Sequence, residues 1–258
     1  MSHAFAADTA LGPTNAFGPR ADAYVTSAVH ASGADLDQVA ALAQRHAGGR
    51  ALDLGCGGGH VSYRLALHAG SVVACDPSPQ MLAAVARTAD ARGLANITTE
   101  AATAEHLPFE DASFDLLACR FTVHHWHDAP AGLHEARRVL KPGAEAVFID
   151  AIAPWHPVLD THLQTVEVLR DPSHVRDYSL AEWTDFLARA GFVLRAVTPR
   201  RLRMDFADWT ARTATPPAHV QAIRSLQDGA APLVRQHFAI ERDGSFLLDT
   251  VTLEVAAA

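Results

Sequence analysis

Between positions 50 and 60 the chain reads Arg-Ala-Leu-Asp-Leu-Gly-Cys-Gly-Gly-Gly-His, and no other stretch restricts the fold so narrowly. Apolar residues on both sides of Asp53 mark residues 51–54 as a short buried parallel strand, and the glycines at 55, 57, 58 and 59 force a tight loop. Val61, Leu65 and Ala69 then recur at helical spacing, with Gly70 placed to end the helix. Strand, glycine loop and helix make the opening of a βαβ unit, in which glycine lets a ligand touch bare backbone and the helix start offers unpaired N–H groups. The dinucleotide fingerprint G-x-G-x-x-G does not fit. Counted from Gly55 it needs glycine or alanine where His60 stands, and counted from Gly57 it needs one where Ser62 stands. Asp53, Gly55, Gly57 and Gly59 fall instead at alternate positions, and a carboxylate at the strand end suits a cationic group better than a phosphate. The plain alternative is a surface turn, but idle turns rarely need so many glycines directly behind a buried strand.

Residues 71–75 make a second strand ending at Asp76, and Pro77-Ser78-Pro79 turns into a helix carrying Met81, Leu82 and Val85. An acid at that strand end stands where doubly wound folds grip a ribose diol, because a carboxylate accepts from both hydroxyls. An aspartate before proline is more often a turn or cap residue; its pairing with the glycine loop favours ribose. Further strands are expected over 96–100, 114–119, 146–149 and 192–198, with helices over 129–140 and 158–169. Ser179-Leu-Ala-Glu182 is a capping-box pattern opening another helix that stops at Gly191. Residues 205–211 and 218–226 read as helical cover, and 246–255 as the last strand. Regular alternation of strand and helix, with connections long enough for crossovers, gives a parallel sheet. Arg200, Arg201 and Arg203 read first as a solvated strand end and second as a contact for an acidic acceptor.

At 258 residues and 49% hydrophobic content, the chain reads as one α/β domain over 1–258. Residues 1–45 are expected as a helical N-terminal cover, with one helix over 21–30 bearing Tyr24 and another from Asp35. Residues 152–178 and 204–240 are expected as helical insertions shaping a pocket. No apolar run approaches a membrane span and the first ten residues lack a secretion signal, so the cytoplasm is the expected compartment. With 29 acidic against 21 basic residues the net charge is -8, which disfavours nucleic acid or an anionic membrane as partner. Cys56, Cys75 and Cys119 lie in or beside strands without CxxC spacing, so buried thiols are expected. The histidines number 15, and His124, His125 and His127 cluster. No second HxH or HExxH accompanies them, so no metal site is expected, and hydrogen bonding or proton transfer is the commoner role.

Asp53-Leu-Gly-Cys-Gly-Gly-Gly59, Asp76, Glu105-His-Leu-Pro-Phe109, Phe114-Asp115-Leu116 and Leu140-Lys-Pro-Gly143 together resemble, in order and spacing, the motifs of class I S-adenosylmethionine-dependent methyltransferases. The nearest resemblance is to the small bacterial branch related to quinone-biosynthesis methyltransferases. Phe17-Gly-Pro-Arg-Ala-Asp-Ala-Tyr24 and His124-His-Trp-His-Asp128 look like an uncharacterised subgroup of it. The resemblance implies a Rossmann-like sheet of seven strands, mostly parallel, with an antiparallel last strand between the fifth and sixth. It also implies S-adenosyl-L-methionine as cofactor, S-adenosyl-L-homocysteine as its product, and a small-molecule acceptor.

Carried over position by position, Gly55, Gly57 and Gly59 would let the methionine part lie against backbone, and Asp53 would hold its ammonium directly or through water. Asp76 would bind the ribose, with Pro77 and Met81 near the adenine. Relatives often follow the third strand with Asp-Ala, the acid meeting the adenine amino group; here Thr103-Ala104 stands there, so adenine recognition is expected either to be weaker or to shift to Glu105. The Arg120 backbone would border the methionine end. The sulfonium methyl is already activated, so placement supplies much of the catalysis, and a base is needed only for an acceptor that loses a proton. His124 and His125 follow the fourth strand at the ligand-binding edge; His125 is the first choice for that role and His124 the second, with bonding to neighbouring backbone as the plain alternative for each. Tyr24, in a cover over the methionine end, is expected either to exclude water and point its hydroxyl at the transfer site or only to pack the cover. The competing reading is a protein that binds the cofactor without transferring a methyl group, as a sensor or carboxylating relative. A nicotinamide oxidoreductase ranks third, because its glycine spacing is wrong.

Overall fold

The structure, a computed structural model, describes residues 33–258; Tyr24, the helix expected over 21–30 and the Phe17-Gly18-Pro19 break lie outside the described residues. Its elements are α1 (Ala34–Arg45), β1 (Arg50–Leu54), α2 (His60–Leu65), β2 (Ser71–Cys75), α3 (Pro79–Ala91), β3 (Ile97–Glu100) and β4 (Phe114–Arg120). A single 3-10 turn (Val123–His125), α4 (Ala129–Val139), β5 (Leu140–Ala151), α5 (Pro157–Arg170) and α6 (Leu180–Arg189) follow. The chain closes with β6 (Phe192–Met204), α7 (Phe206–Arg212), α8 (Pro217–Asp228), α9 (Pro232–His237) and β7 (Phe246–Ala257). Among the described residues the strands make one sheet in the order β3-β2-β1-β4-β5-β7-β6. β1 runs parallel to β2 and β4, β2 to β3, and β4 to β5, while β7 is antiparallel to both β5 and β6. The sheet is the doubly wound, seven-stranded one expected, with the last strand between the fifth and sixth.

Strand alternation divides the core in two. Leu52, Leu54, Leu117, Cys119 and Phe148 face one side and pack with Leu133, Ala136 and Val139 of α4 and Trp183 and Leu187 of α6. Ala51, Leu116, Ala118 and Val147 face the other and pack with Leu36, Val39 and Leu42 of α1 and Val61 and Leu65 of α2. Burial on both faces is why these strands read as unbroken apolar runs, and each buried leucine contributes about 1.5–3 kcal/mol relative to exposure. A further apolar layer joins Leu159, Leu163 and Val166 of α5 to Trp209, Ile223, Val234 and Phe238, under Phe246 and Leu248 of β7. No helix among the described residues is long and apolar enough to cross a membrane.

Two strands are longer than their patterns suggest. β5 starts at Leu140 rather than 146, because Phe114 pairs with Leu140 before a bulge brings Leu116 opposite Glu145. β6 runs to Met204 rather than 198, paired with β7 from Phe192 opposite Ala257 to Met204 opposite Phe246. The arginines sit on this extension and are engaged within the chain. Arg200 donates to Gln38 Oε1 and Thr252 Oγ1, Arg201 to Asp249 Oδ1, and Arg203 to both oxygens of Glu241.

Candidate functional site

The strand order turns back between β1 and β4, the switch point at whose carboxyl ends folds of this kind hold a ligand in a crevice. On leaving β1, Gly55 N and Cys56 N both donate to Cys75 O at 2.9 Å, which fastens the glycine loop to the end of β2. Gly55 has φ +73°, and a Cβ there would stand 2.4 Å from Thr122 Oγ1, so only glycine lets the loop lie against the segment after β4. At Gly57, φ is +47° and a Cβ would meet nothing within 4 Å: the loop shows bare backbone to open space. Gly59 caps the start of α2.

Beneath this loop Asp53 is buried and accepts a hydrogen bond from Ser62 Oγ at 2.5 Å. Burial pushes its pKa up to about 7 against the pull of the Ser62 hydrogen bonds, with the charge of Asp76 adding to the rise. Asp76 itself holds two elements together, its Oδ2 accepting from Gly57 N at 2.9 Å and its Oδ1 from Ser78 N at 2.9 Å. Burial raises its pKa despite those two bonds. Ser78 caps α3 through Met81 N, which sets the buried Met81 behind the half-buried Pro77. Further along the rim, Thr103 is exposed and Ala104 is buried, packed in the cluster that holds Trp126. Glu105 Oε1 accepts from His127 N at 3.0 Å and Asp128 N at 3.3 Å, so one of its oxygens serves the loop before α4.

At the end of β4, Arg120 Nε donates to Asp35 Oδ2 at 2.6 Å and ties α1 to the crevice. Phe121 follows with φ +53°, a left-handed conformation that a bulky residue adopts only where its surroundings enforce it. His124 Nδ1 lies 2.6 Å from Asp150 Oδ1, at the end of β5. Asp150 also accepts from Ala151 N at 2.8 Å and Val123 N at 2.9 Å. Burial by itself pulls the His124 pKa down, but the charge and hydrogen bond of Asp150 outweigh it and hold it at about 9. Asp177 and Glu167 add to the rise after Asp150, and burial pushes Asp177 itself up. His125 goes the other way: burial and the neighbouring His124 charge push it down to about 3. The two rings, 4.2 Å apart, therefore divide one charge, with His124 cationic and His125 neutral.

The structure thus brings Asp53, Gly55, Gly57, Gly59 and Asp76 together through the pairing of β1 with β2 and the Gly57–Asp76 bond, with Pro77 and Met81 following β2, Thr103, Ala104 and Glu105 following β3, and Arg120, His124 and His125 at and after the end of β4. Asp150, Asp171, Ser173, His174 and Asp177 were not read from the sequence. Asp150 carried a signal, since it ends strand five as Asp53 and Asp76 end strands one and two; residues 171–177 carry neither helical nor strand periodicity. His124, Asp150 and Asp177 also form a group able to hold a metal ion, with ligand atoms within 4.8 Å of one another. The Asp150 carboxylate is committed to two backbone N–H groups and His124, which accounts for the grouping by hydrogen bonding. Cys56, Cys75 and Cys119 are buried free thiols, as expected.

A glycine loop and an acid at consecutive strand ends of a doubly wound sheet define a nucleotide-cofactor enzyme class. A family model described as methyltransferase domain matches residues 52–148. The uncharacterized protein YafE of Escherichia coli (strain K12) is 43% identical over 200 residues, 78% of this chain and 97% of that one. The uncharacterized methyltransferase YcgJ of Bacillus subtilis (strain 168) is 32% identical over 224 residues, 87% of this chain and 88% of that one. Its crystal structure superposes with a TM-score of 0.83 at 29% identity, covering 87% of this chain and 98% of that one. The ubiquinone/menaquinone biosynthesis C-methyltransferase UbiE of Geobacter sp. (strain M21) is 35% identical over 114 residues, 43% of this chain and 48% of that one. The chain belongs to the S-adenosylmethionine-dependent methyltransferases.

Proposed function

We propose that this enzyme moves a methyl group from S-adenosyl-L-methionine to a small-molecule acceptor held at the carboxyl edge of β4 and β5, in the cytoplasm. Asp76 carries the reading. Each of its oxygens accepts one backbone N–H at 2.9 Å, and a carboxylate oxygen accepts two, so both keep capacity for the hydroxyls of a ribose. The rest of the crevice fits the same cofactor. Asp53 offers a buried carboxylate to a cationic ammonium, and Gly55, Gly57 and Gly59 offer backbone to the methionine chain, the open face of Gly57 above all. Pro77 and Met81 lie on the adenine side, Thr103, Ala104 and the remaining Glu105 oxygen at its edge, and the Arg120 backbone borders the methionine end.

When bound, the cofactor supplies a methyl group already activated on a sulfonium, so the chain's work is placement and, for an acidic acceptor, proton removal. His124 is cationic at neutral pH and cannot serve as a base there; His125 is neutral and can accept a hydrogen bond or a proton. UbiE matches less than half of this chain, so its acceptor is not carried over. Incubating the protein with methyl-labelled S-adenosylmethionine and a metabolite extract tests the reading. Label recovered in a small molecule supports it, and tight cofactor binding with no label moved selects the binding-only alternative.

A further inference from the structure

The turn after α5 buries Asp171, Ser173 and His174 beside the histidine pair. Asp171 Oδ1 accepts from Ser173 N at 2.9 Å and from Ser173 Oγ at 2.7 Å. With its proton given to Asp171, the Ser173 hydroxyl presents only lone pairs to His125, whose Nδ1 lies 3.3 Å away. The Ser173 carbonyl, 3.1 Å from the same nitrogen, is an acceptor by nature. Two acceptors at one ring nitrogen require a proton on it. The turn is also fastened to the site, because Val175 N and Arg176 N donate to His124 O at 2.8 and 3.2 Å.

We infer that the Asp171-Ser173 turn is a positioning element for methyl transfer: it fixes His125 as the Nδ1–H tautomer, so that Nε2 is the nitrogen that takes the acceptor's proton. This rests on the reading of the crevice as a methyl-transfer site with its acceptor beside β4. Around His125 the charged groups are His124 from its own segment, Asp150 from β5 and Asp171 from the turn, and His174 stacks 5.8 Å from the His124 ring. Burial and His124 keep the His125 ring unprotonated in the resting enzyme. The neutral ring takes the acceptor's proton as the methyl group arrives. As transfer proceeds, the acceptor's electron pair forms the bond to the methyl carbon, the pair of the broken carbon–sulfur bond stays on sulfur, and the acceptor's proton, by then strongly acidic, passes to Nε2. A newly methylated amine keeps its proton, since an alkylammonium has a pKa near that of lysine, about 10. An acceptor that attacks through oxygen or carbon therefore calls on the Nε2 base, and one that attacks through an amine nitrogen does not.

Long-range proton–nitrogen NMR correlations on the nitrogen-labelled full chain report the tautomer directly. His125 is expected as the neutral Nδ1–H form at neutral pH, and an Nε2–H form in the unaltered protein would overturn the inference without any variant. Asp171→Ala frees the Ser173 hydroxyl to donate into Nδ1 in competition with the Ser173 carbonyl, which raises the Nε2–H share at the expense of Nδ1–H. Methyl transfer to the extract should then fall by roughly the factor by which the Nδ1–H share falls, less than the about 10²–10⁴-fold that a positioned base contributes in full. Adding Ser173→Ala removes that stray donor and should return both tautomer and rate toward the unaltered protein, with S-adenosylhomocysteine affinity held within about twofold throughout. A turn that only props up the fold would leave the tautomer unchanged in the single variant, or the double variant no nearer the start. With carbon-labelled methyl donor, the label should appear as O-methyl or C-methyl; N-methyl product would overturn the role of Nε2 as the proton acceptor. If the cofactor binds and no label moves at all, the methyl-transfer reading itself fails, whereas the tautomer result stands or falls separately.

Discussion

Asp76 and Asp53 are both buried acids, and they answer differently to a ligand. Each Asp76 oxygen keeps a lone pair, which the proposed reading gives to a ribose, so Asp76→Ala should weaken S-adenosylhomocysteine binding by about 1.5–3 kcal/mol, the usual worth of hydrogen bonds to a charged group. Calorimetry that gives unchanged affinity would remove Asp76 from the ribose site. Asp53, pushed up to about 7 by burial, is partly protonated at neutral pH in the empty crevice. A cationic ammonium beside it favours the carboxylate, so binding should release a proton near neutrality, and affinity should rise from about pH 6 to about pH 8. Titration in buffers of different ionisation enthalpy measures that proton. The sign for stability is the opposite one. Because the folded pKa lies above the unfolded value, the contribution of Asp53 to folding is fully present below 3.8 and is lost as pH rises through about 7. Both acids stood out in the sequence because each ends an apolar strand. His124 and His125 stood out too, but their opposite charge states did not, since these depend on burial and on Asp150, far away in sequence.

Among the elements, the glycine loop is the one whose geometry tolerates least change. Gly55 has φ +73° and its missing Cβ would stand 2.4–2.7 Å from the Thr122 side chain, so Gly55→Ala strains the backbone and collides with the segment after β4. A cost of about 1–3 kcal/mol is expected from each of these two effects. Adding Thr122→Gly should recover the collision and leave the backbone strain, and thermal unfolding of the single and double variants separates the two. An equal loss in both would mean that Thr122 is not the obstacle. Elements with local signals were legible: the Ser179-Glu182 capping box forms as its sequence implies, and α2 and α3 start where glycine and serine place them. The extents of β5 and β6 were not legible, because both are set by pairing with β4 and β7.

For the molecule as a whole, the crevice exists only when the sheet is complete, so a ligand that fills it binds the folded state alone. S-adenosylhomocysteine at one hundred times its Kd should stabilise the protein by about 2.7 kcal/mol and raise Tm, while NADH at the same concentration should not. The reverse ranking would end the methyltransferase reading of the crevice. The sequence by itself determined the parallel α/β sheet, the glycine loop and the acids that end its first two strands. Those features are written in periodicity and in residue types that only a few backbone conformations accept. Only the tertiary structure decided that Arg200, Arg201 and Arg203 are engaged within the chain, that one oxygen of Glu105 serves the loop before α4, and that the Asp171-Ser173 turn meets His125. These are contacts between residues up to 162 positions apart, between Arg200 and Gln38, and a side chain's partner at that distance is chosen by how strands register and helices pack.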